Sequence, residues 1–425
     1  MTSPNVLAVV LAGGEGKRLL PLTATRSKPA MPFGGMFRLV DFVLSNLTNA
    51  GFLKIAVLTQ YKSPGLDRYL ARSWQLTQLF GHFVTPVPAQ QELGPQFFTG
   101  SADALLQNLD FIQEEMPEHV LVFSADHVYR MDPRAMLAQH VASGAAVTVA
   151  ATRQPVRLAH QFGVIETDPS GLRITRFTEK PRTAPGLPDS PGELYASMGN
   201  YVFTTRDLVD AVTADARDVD SKHDIGGNLI PMLAATGRAH VYDFAANDVP
   251  GAPERERGYW RDVGTLDAYH AAHMDLLAAE PAFSLANDRW PIRTCHTSAA
   301  PAHFRQDPHE RPGRATDTLV SPGATVYGGA TVERSVLSPG AVLRSGSYVQ
   351  DSVLLENVRV GRGATVCNAI VDQNVVIPDG ARIGLDAEHD RARFTVTEGG
   401  VVVIDGDAEL VLHSEASTPQ TVRLV

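Results

Sequence analysis

The chain has 425 residues, 44% of them apolar and 20% charged, with a formal net charge of −10. Its length suits two or three domains with ample core. Its acidity argues against a nucleic-acid binder or a peripheral membrane protein, both of which carry a basic face.

Read in order, the chain opens on MTSPNVLAVVLAGG, which has no cationic leader region and no cleavage signal. No apolar run is long enough to span a bilayer. The two cysteines, Cys295 and Cys367, lie far apart with neither metal-ligand spacing nor a disulfide framework, as expected in a reducing cytoplasm. NVLAVVLAG reads as a strand. MFRLVDFVLSNLTNAG reads as a helix with Leu39, Phe42, Val43 and Leu47 on one face and Gly51 as its stop. LKIAVLTQ, HVLVFSADHVY, GAAVTVAATR and NYVFTT read as further buried strands. Strands of this kind, separated by helical patterns, predict an α/β domain with a Rossmann-like, mostly parallel sheet over residues 1–280.

That style stops near residue 280. Residues 281–314 are rich in Pro, His and Arg and read as a linker. A six-residue apolar repeat follows: Val320, Val326 and Val332, then Val336, Val342 and Tyr348, then Leu354, Val360 and Val366, then Val371, Ile377 and Ile383. Such a repeat predicts a parallel β-helix whose flat faces each turn one aliphatic side chain inward. An antiparallel meander would alternate at period two. The final domain is thus read as residues 315–425, with GGVVVIDGDAELVL as a capping strand or hairpin.

The turn LAGGEGKRL, after the first strand, fits neither common phosphate motif. A dinucleotide fingerprint needs G-x-G-x-x-G, whereas the glycines here are Gly13, Gly14 and Gly16. A Walker loop needs Gly at Leu11 and Ser or Thr at Arg18. Two readings remain: a plain strand-to-helix turn that uses glycine for its φ, or a nonstandard phosphate cradle. In the second, exposed backbone N–H groups face an anion, Arg18 clamps phosphate and Lys28 adds a point charge.

The motifs LAGGEGKRLLPLT…KPAMPFGG, TQYKS, PAQQ, GSADALLQNLDFI, SADHVYRMD, FTEKP, ASMGNYVF, HDIGGNLIP, YWRDVGTLDAYHAAHMDLL and NDRWPIRT occur in that order between residues 11 and 294. Together they resemble the sugar-1-phosphate nucleotidyltransferase family, in its bacterial glucose-1-phosphate adenylyltransferase branch. The hexapeptide repeat is similar to that family's left-handed β-helix domain. The resemblance implies that ATP and α-glucose 1-phosphate give ADP-glucose and pyrophosphate by in-line attack, with positioning and charge neutralisation carrying the rate.

The resemblance also implies roles for residues. Leu11, Ala12, Gly13, Gly14, Gly16 and Arg18 would lie against the nucleotide, with Arg18 and Lys28 balancing the departing pyrophosphate. Gln90 would read the adenine edge, and Gly100 with Asp103 would line the nucleotide pocket, although Ser101 is also a fair helix N-cap. Asp126 and Asp262 would hold Mg²⁺. Lys180 would hold the sugar phosphate, Glu179 and Ser197 the sugar hydroxyls, and Gly163 would let the sugar approach the backbone. Members of the family are commonly homotetramers controlled by anionic metabolites, for which Arg26, Arg38 and the basic cluster His389, Arg391 and Arg393 are the candidates. Thr25 replaces a lysine of fructose-bisphosphate-activated enteric members, and Phe98 and Thr99 replace a Tyr-Arg pair. Rival readings are a non-catalytic regulatory subunit of the same family, an enzyme for another nucleotide or sugar, and an acyltransferase. Against the last, residues 318–385 contain no histidine.

Overall fold

The structure is a computed structural model and describes residues 4–77, 79, 81–89, 97–295, 298–306 and 311–406. No helix among these residues is long and apolar enough to cross a membrane. The chain forms two compact units. The first comprises Met1–Gly14, Val40–Trp260 and Asn287–Ile292; the second comprises Glu15–Leu39, Arg261–Ala286 and Arg293–Val425.

The first unit is an α/β sheet. Its strands are β1 (Val6–Ala12), β2 (Lys54–Thr59), β3 (Phe83–Pro88), β4 (His119–Ser124), β5 (Val147–Pro155), β6 (Gly163–Thr167), β7 (Ile174–Glu179), β8 (Glu193–Thr204) and β9 (Ala239–Asp243). The order is β7-β6-β8-β4-β1-β2-β3, with β5 also beside β8 and β9 beside β5. β1 lies between two parallel partners, so Val9 faces Ala56 on one side and Val122 on the other. β1–β6 and β9 run one way; β7 and β8 run against them. The long β8 differs from the sequence reading, which took only NYVFTT, residues 200–205, as a strand. Its register against β5 shifts between Ser197 and Tyr201, and along its other edge the first half pairs with β6 and the second half with β4. Ser, Met and Gly in that first half hide the apolar signal.

The helix α1 (Leu39–Asn49) is buried on all sides rather than along one face. Its buried Asp41 accepts from Tyr69 Oη at 2.6 Å and Trp74 Nε1 at 2.9 Å, which meets the cost of enclosing a carboxylate. Gly51, with φ +86°, ends the segment as expected.

In the second unit, residues 303–404 wind into a parallel β-helix with three ladders. The central coils are 17 residues each: Val326 pairs with Leu343, Leu343 with Val360, and Val360 with Ile377. The first rung of that ladder is His303–Phe304, within the stretch read from sequence as linker. The predicted phase is corrected in one coil. Leu337, Leu343 and Val349 join the core, whereas Val336, Val342 and Tyr348 lie on the opposite side of their strands. Adjacent apolar pairs leave the inward member undetermined by hydropathy; the backbone period of 17 decides it.

The corners recur at the same step with left-handed backbone: Asp317, Arg334, Asp351 and Asn368 in one column, and Gly323, Gly340, Asn357 and Asn374 in another. Arg334 is the unusual member, and its guanidinium grips Asp351 through bonds of 2.7 and 2.6 Å. Val402–Ile404 extends the ladder beyond Ala369–Val371 and turns back on Thr395–Val396, as the capping reading expects. Residues 407–412 of that reading lie outside the described residues.

Two histidines are locked neutral by their partners. His140 Nε2 donates to Thr204 Oγ1, whose own hydrogen goes to the Ala145 carbonyl, so Nδ1 accepts from Thr148. On the helix α8 (Leu266–Met274), His273 Nε2 accepts from the Gly34 amide at 3.2 Å while Nδ1 donates to the Tyr269 carbonyl. Burial lowers each pKa from 6.5 to about 3. Below about pH 6.5 the unfolded chain therefore binds protons that the folded state refuses, and stability falls as pH falls.

Two outcomes are expected. Denaturant titrations at pH 6.5 and 5 should show His140→Gln losing a slope of about 1.4 kcal/mol per pH unit relative to the parent. In the β-helix, Leu343→Ala should cost about 2–5 kcal/mol and Val342→Ala under about 1 kcal/mol, read from the same titrations.

Candidate active site

The predicted site residues divide between the two units. In the first, β1 delivers Leu11 and Ala12 to the carboxyl edge of the sheet, where ligands bind in such folds. A side chain added at Gly14 would meet nothing within 4 Å, and one at Gly13 would only touch Gln60 at 3.4 Å. Packing therefore does not require glycine at these two positions, and the backbone there is bare.

Three of the sugar-phosphate candidates form a row. Gly163 on β6 faces Glu179 on β7, and Ala196 on β8 faces Val164, so the next step along that register sets Ser197 beside Gly163. Gly163 is also required by packing. A methyl group there would stand 2.4 Å from the Phe177 ring and 2.9 Å from Glu179 Oε2. Lys180 follows with φ +47°, a left-handed backbone that is costly for a side-chain-bearing residue. Its amide donates to the Phe162 carbonyl at 3.0 Å, and its ammonium contacts the Glu179 carboxylate. Ser197 sits at the β8 register shift, accepts from the Gly199 amide and bonds the Tyr201 hydroxyl, whose pKa burial raises.

Asp126 stands two residues beyond β4. Its Oδ1 accepts from Ser124 Oγ and lies 3.4 Å from His127 Nε2. The His127 ring packs on Trp260 at 4.8 Å, and Trp260 packs on Phe162 at 5.8 Å.

Gly100 and Asp103 have structural duties that the sequence reading did not assign them. A side chain at Gly100 would collide with the His223 carbonyl at 2.1 Å. Asp103 Oδ2 accepts from the Thr99 amide, the Thr99 hydroxyl and Gln107. Gly100, not Ser101, is the N-cap of α3 (Ser101–Leu106); Ser101 Oγ instead donates to Asp224 and accepts from the Ile225 amide. Gln90 lies outside the described residues.

In the second unit, Gly16 adopts φ +69°, crowded by Thr23 at 3.1 Å and Lys28 at 3.2 Å from a notional methyl group. This glycine is demanded by conformation. Lys28 is buried, and its ammonium donates to Asp262 Oδ1 at 3.1 Å. A methyl group at Gly264 would stand 2.7 Å from Arg18 Nη2 and 2.9 Å from Asp262 Oδ1. Arg18, Lys28 and Asp262 thus form one cluster, and Gly264 is the residue the sequence reading missed. Its signal was present in WRDVGT as a small residue two positions after the acid.

The effector candidates are each engaged. Arg26 makes a two-pronged ion pair with the buried Asp372, at 2.8 and 3.0 Å. Arg38 donates to the Ala30 carbonyl and lies 3.6 Å from Glu356. Arg393 donates to Asp390 beside the short helix that contains His389 and Arg391.

Comparison with known proteins divides the chain by sequence rather than by unit, since the first family model takes in residues of both. The family model "Nucleotidyl transferase" matches residues 7–279, and "GlmU-like, C-terminal hexapeptide" matches residues 300–404. A glucose-1-phosphate adenylyltransferase of Parafrankia sp. (strain EAN1pec) is 59% identical over 406 residues, covering 95% of this chain and 98% of that protein. Proteins of the same name from Rhodococcus erythropolis and Mycobacteroides abscessus are 59% and 57% identical, each over 95% of this chain and 98% of its relative.

Gly264 has no left-handed torsion, so alanine fits the backbone there, and its methyl group presses first on Arg18 and Asp262. Gly264→Ala should lower nucleotidyl-transfer turnover about 10²-fold with an unchanged melting curve, measured by pyrophosphate release and circular dichroism.

Proposed function

The chain belongs to the nucleotidyl transferase family, and on that premise we propose that it is a glucose-1-phosphate adenylyltransferase. It joins ATP to α-glucose 1-phosphate, releases pyrophosphate and supplies ADP-glucose for α-glucan synthesis such as glycogen. The observation that carries this reading is the pairing of buried Lys28 with Asp262 next to the Arg18 guanidinium. In a chain of net charge −10, four cations, Lys17, Arg18, Arg26 and Lys28, are concentrated on the segment that follows the glycine turn.

In this reading the sugar phosphate oxygen attacks the α-phosphorus of ATP in line, and the β,γ-pyrophosphate leaves. Leu11, Ala12, Gly13 and Gly14 present bare backbone to the nucleotide, while Gln90, Gly100 and Asp103 border the base. Asp103 does so through its position, since its carboxylate is spent on the start of α3. Arg18 and Lys28 neutralise charge that grows on the leaving group. Lys180, held by the Phe162 carbonyl, anchors the sugar phosphate. Glu179 and Ser197 accept and donate hydrogen bonds with sugar hydroxyls across the same row of strands, and Gly163 leaves the sugar room.

The acids fit Mg²⁺. Asp126 and Asp262 are half-exposed carboxylates, each with one oxygen fixed by a neighbouring donor, and oxygen ligands suit a hard cation. Bound there, Mg²⁺ would offset phosphate charge. Residues 1–280 form the catalytic domain and 315–425 the β-helix with its cap, while the intervening 281–314 already supplies the first rung of one ladder at His303–Phe304. A cytoplasmic homotetramer under metabolite control completes the reading, with Arg26, Arg38 and Arg393 as effector contacts. An effector anion at Arg26 would have to displace Asp372.

The test offers ATP, UTP, GTP and dTTP separately, with glucose 1-phosphate and Mg²⁺, and follows pyrophosphate. Release with ATP alone, reduced about 10²-fold or more in Asp126→Asn, is expected. Asp126 is the better control, because Asp262→Asn would leave Lys28 buried without its counter-charge. Release with another nucleotide would correct the substrate. Silence with all four in a folded, ATP-binding protein would point to a regulatory subunit.

A further inference from the structure

The end of β4 carries a chain of hydrogen bonds that the reading above leaves without a task, and every step lies inside the first unit. Asn46, on α1, accepts from the Met131 amide at 3.0 Å and donates to the Tyr129 carbonyl at 3.3 Å. The Tyr129 hydroxyl accepts from Asn200 Nδ2 at 3.0 Å. Asn200 is fully buried at the β8 register shift, and its Oδ1 accepts from the Ser124 amide at 3.3 Å. Ser124, paired with Leu11 of β1, then donates through Oγ to Asp126 Oδ1.

Ser124 is thereby fixed before its hydroxyl acts. Its backbone is tied to β1 and to Asn200. Gly199, at φ +70°, lies against it, and a side chain there would be in ordinary contact, 3.4 Å from Ser124 Cβ. Asp126, by contrast, sits beyond the strand with its carboxylate half-exposed and two rotatable bonds from the backbone. A carboxylate so placed samples several orientations unless one oxygen is held. The Ser124 hydroxyl holds it.

We propose that Ser124 is a positioning residue for the divalent cation: it orients the Asp126 carboxylate, and Asn200 orients Ser124. The proposal rests on the reading of Asp126 as a cation ligand. Partners in the outer shell of a metal site typically govern affinity by about 10–100-fold.

The experiment titrates the full chain with Mn²⁺ alone and reads free Mn²⁺ by electron paramagnetic resonance, for the parent, Ser124→Ala, Ser124→Thr and Asp126→Asn. Melting curves confirm that each variant is folded. The expected result is Mn²⁺ binding about tenfold weaker in Ser124→Ala, restored to within about twofold in Ser124→Thr, which keeps the hydroxyl, and lost in Asp126→Asn. Parent-like binding in Ser124→Ala, with binding lost in Asp126→Asn, would overturn the role of Ser124 and leave that of Asp126 standing. Equal weakening in the alanine and threonine variants would also overturn it, because the hydroxyl would then not be the cause. No difference between the parent and Asp126→Asn, including no binding by either, would overturn both assignments.

Discussion

One rung of hydrogen bonding orders the first unit. Leu11 on β1 is paired in parallel with Leu58 of β2 on one side and Ser124 of β4 on the other. A parallel ladder ends all its strands at the same edge, so the glycine turn after β1, Gln60 after β2 and Asp126 after β4 are delivered together. The antiparallel β8 adds to this edge: Ser197 lies where β6 begins and Asn200 where β4 ends.

The second unit encloses a charge instead. Enclosing the Lys28 ammonium is expensive, and the Asp262 carboxylate at 3.1 Å offsets that expense. Arg18 stays exposed and depends on Gly264 for its space, so a residue with no side chain governs where a guanidinium can lie. The same economy appears at Arg26, where Asp372 already fills both prongs of the guanidinium.

The β-helix shows how a repeat tolerates chemical variety. Its corner columns accept Gly, Asn, Asp and one Arg because each position needs a left-handed backbone and little else. Between coils, Ser335 and Ser352 form a ladder of their own. Each hydroxyl donates to a carbonyl two residues earlier and accepts the amide of the next coil. Polar residues in a coil that otherwise buries aliphatic chains are satisfied by their own repetition.

Much of this was legible from the residues alone. Strand and helix patterning, the six-residue repeat and the ordered motifs from residue 11 to residue 294 sufficed for the α/β domain, the β-helix and the family. Local sequence determines these because periodic burial and glycine turns are short-range properties. Three matters needed the folded chain. The inward choice between Val336 and Leu337 depends on the 17-residue coil, since both are apolar. The structural work of Gly100, Gly163 and Asp103 depends on neighbours far off in sequence or on a cap whose position propensity left open. The hold of Ser124 on Asp126, and of Lys28 on Asp262, depends on which side chains are brought within hydrogen-bonding reach. Sequence by itself determined which elements form and which chemistry they carry; tertiary structure decided which polar atoms meet, because hydrogen bonds and ion pairs act over a few ångströms in space and are indifferent to separation along the chain.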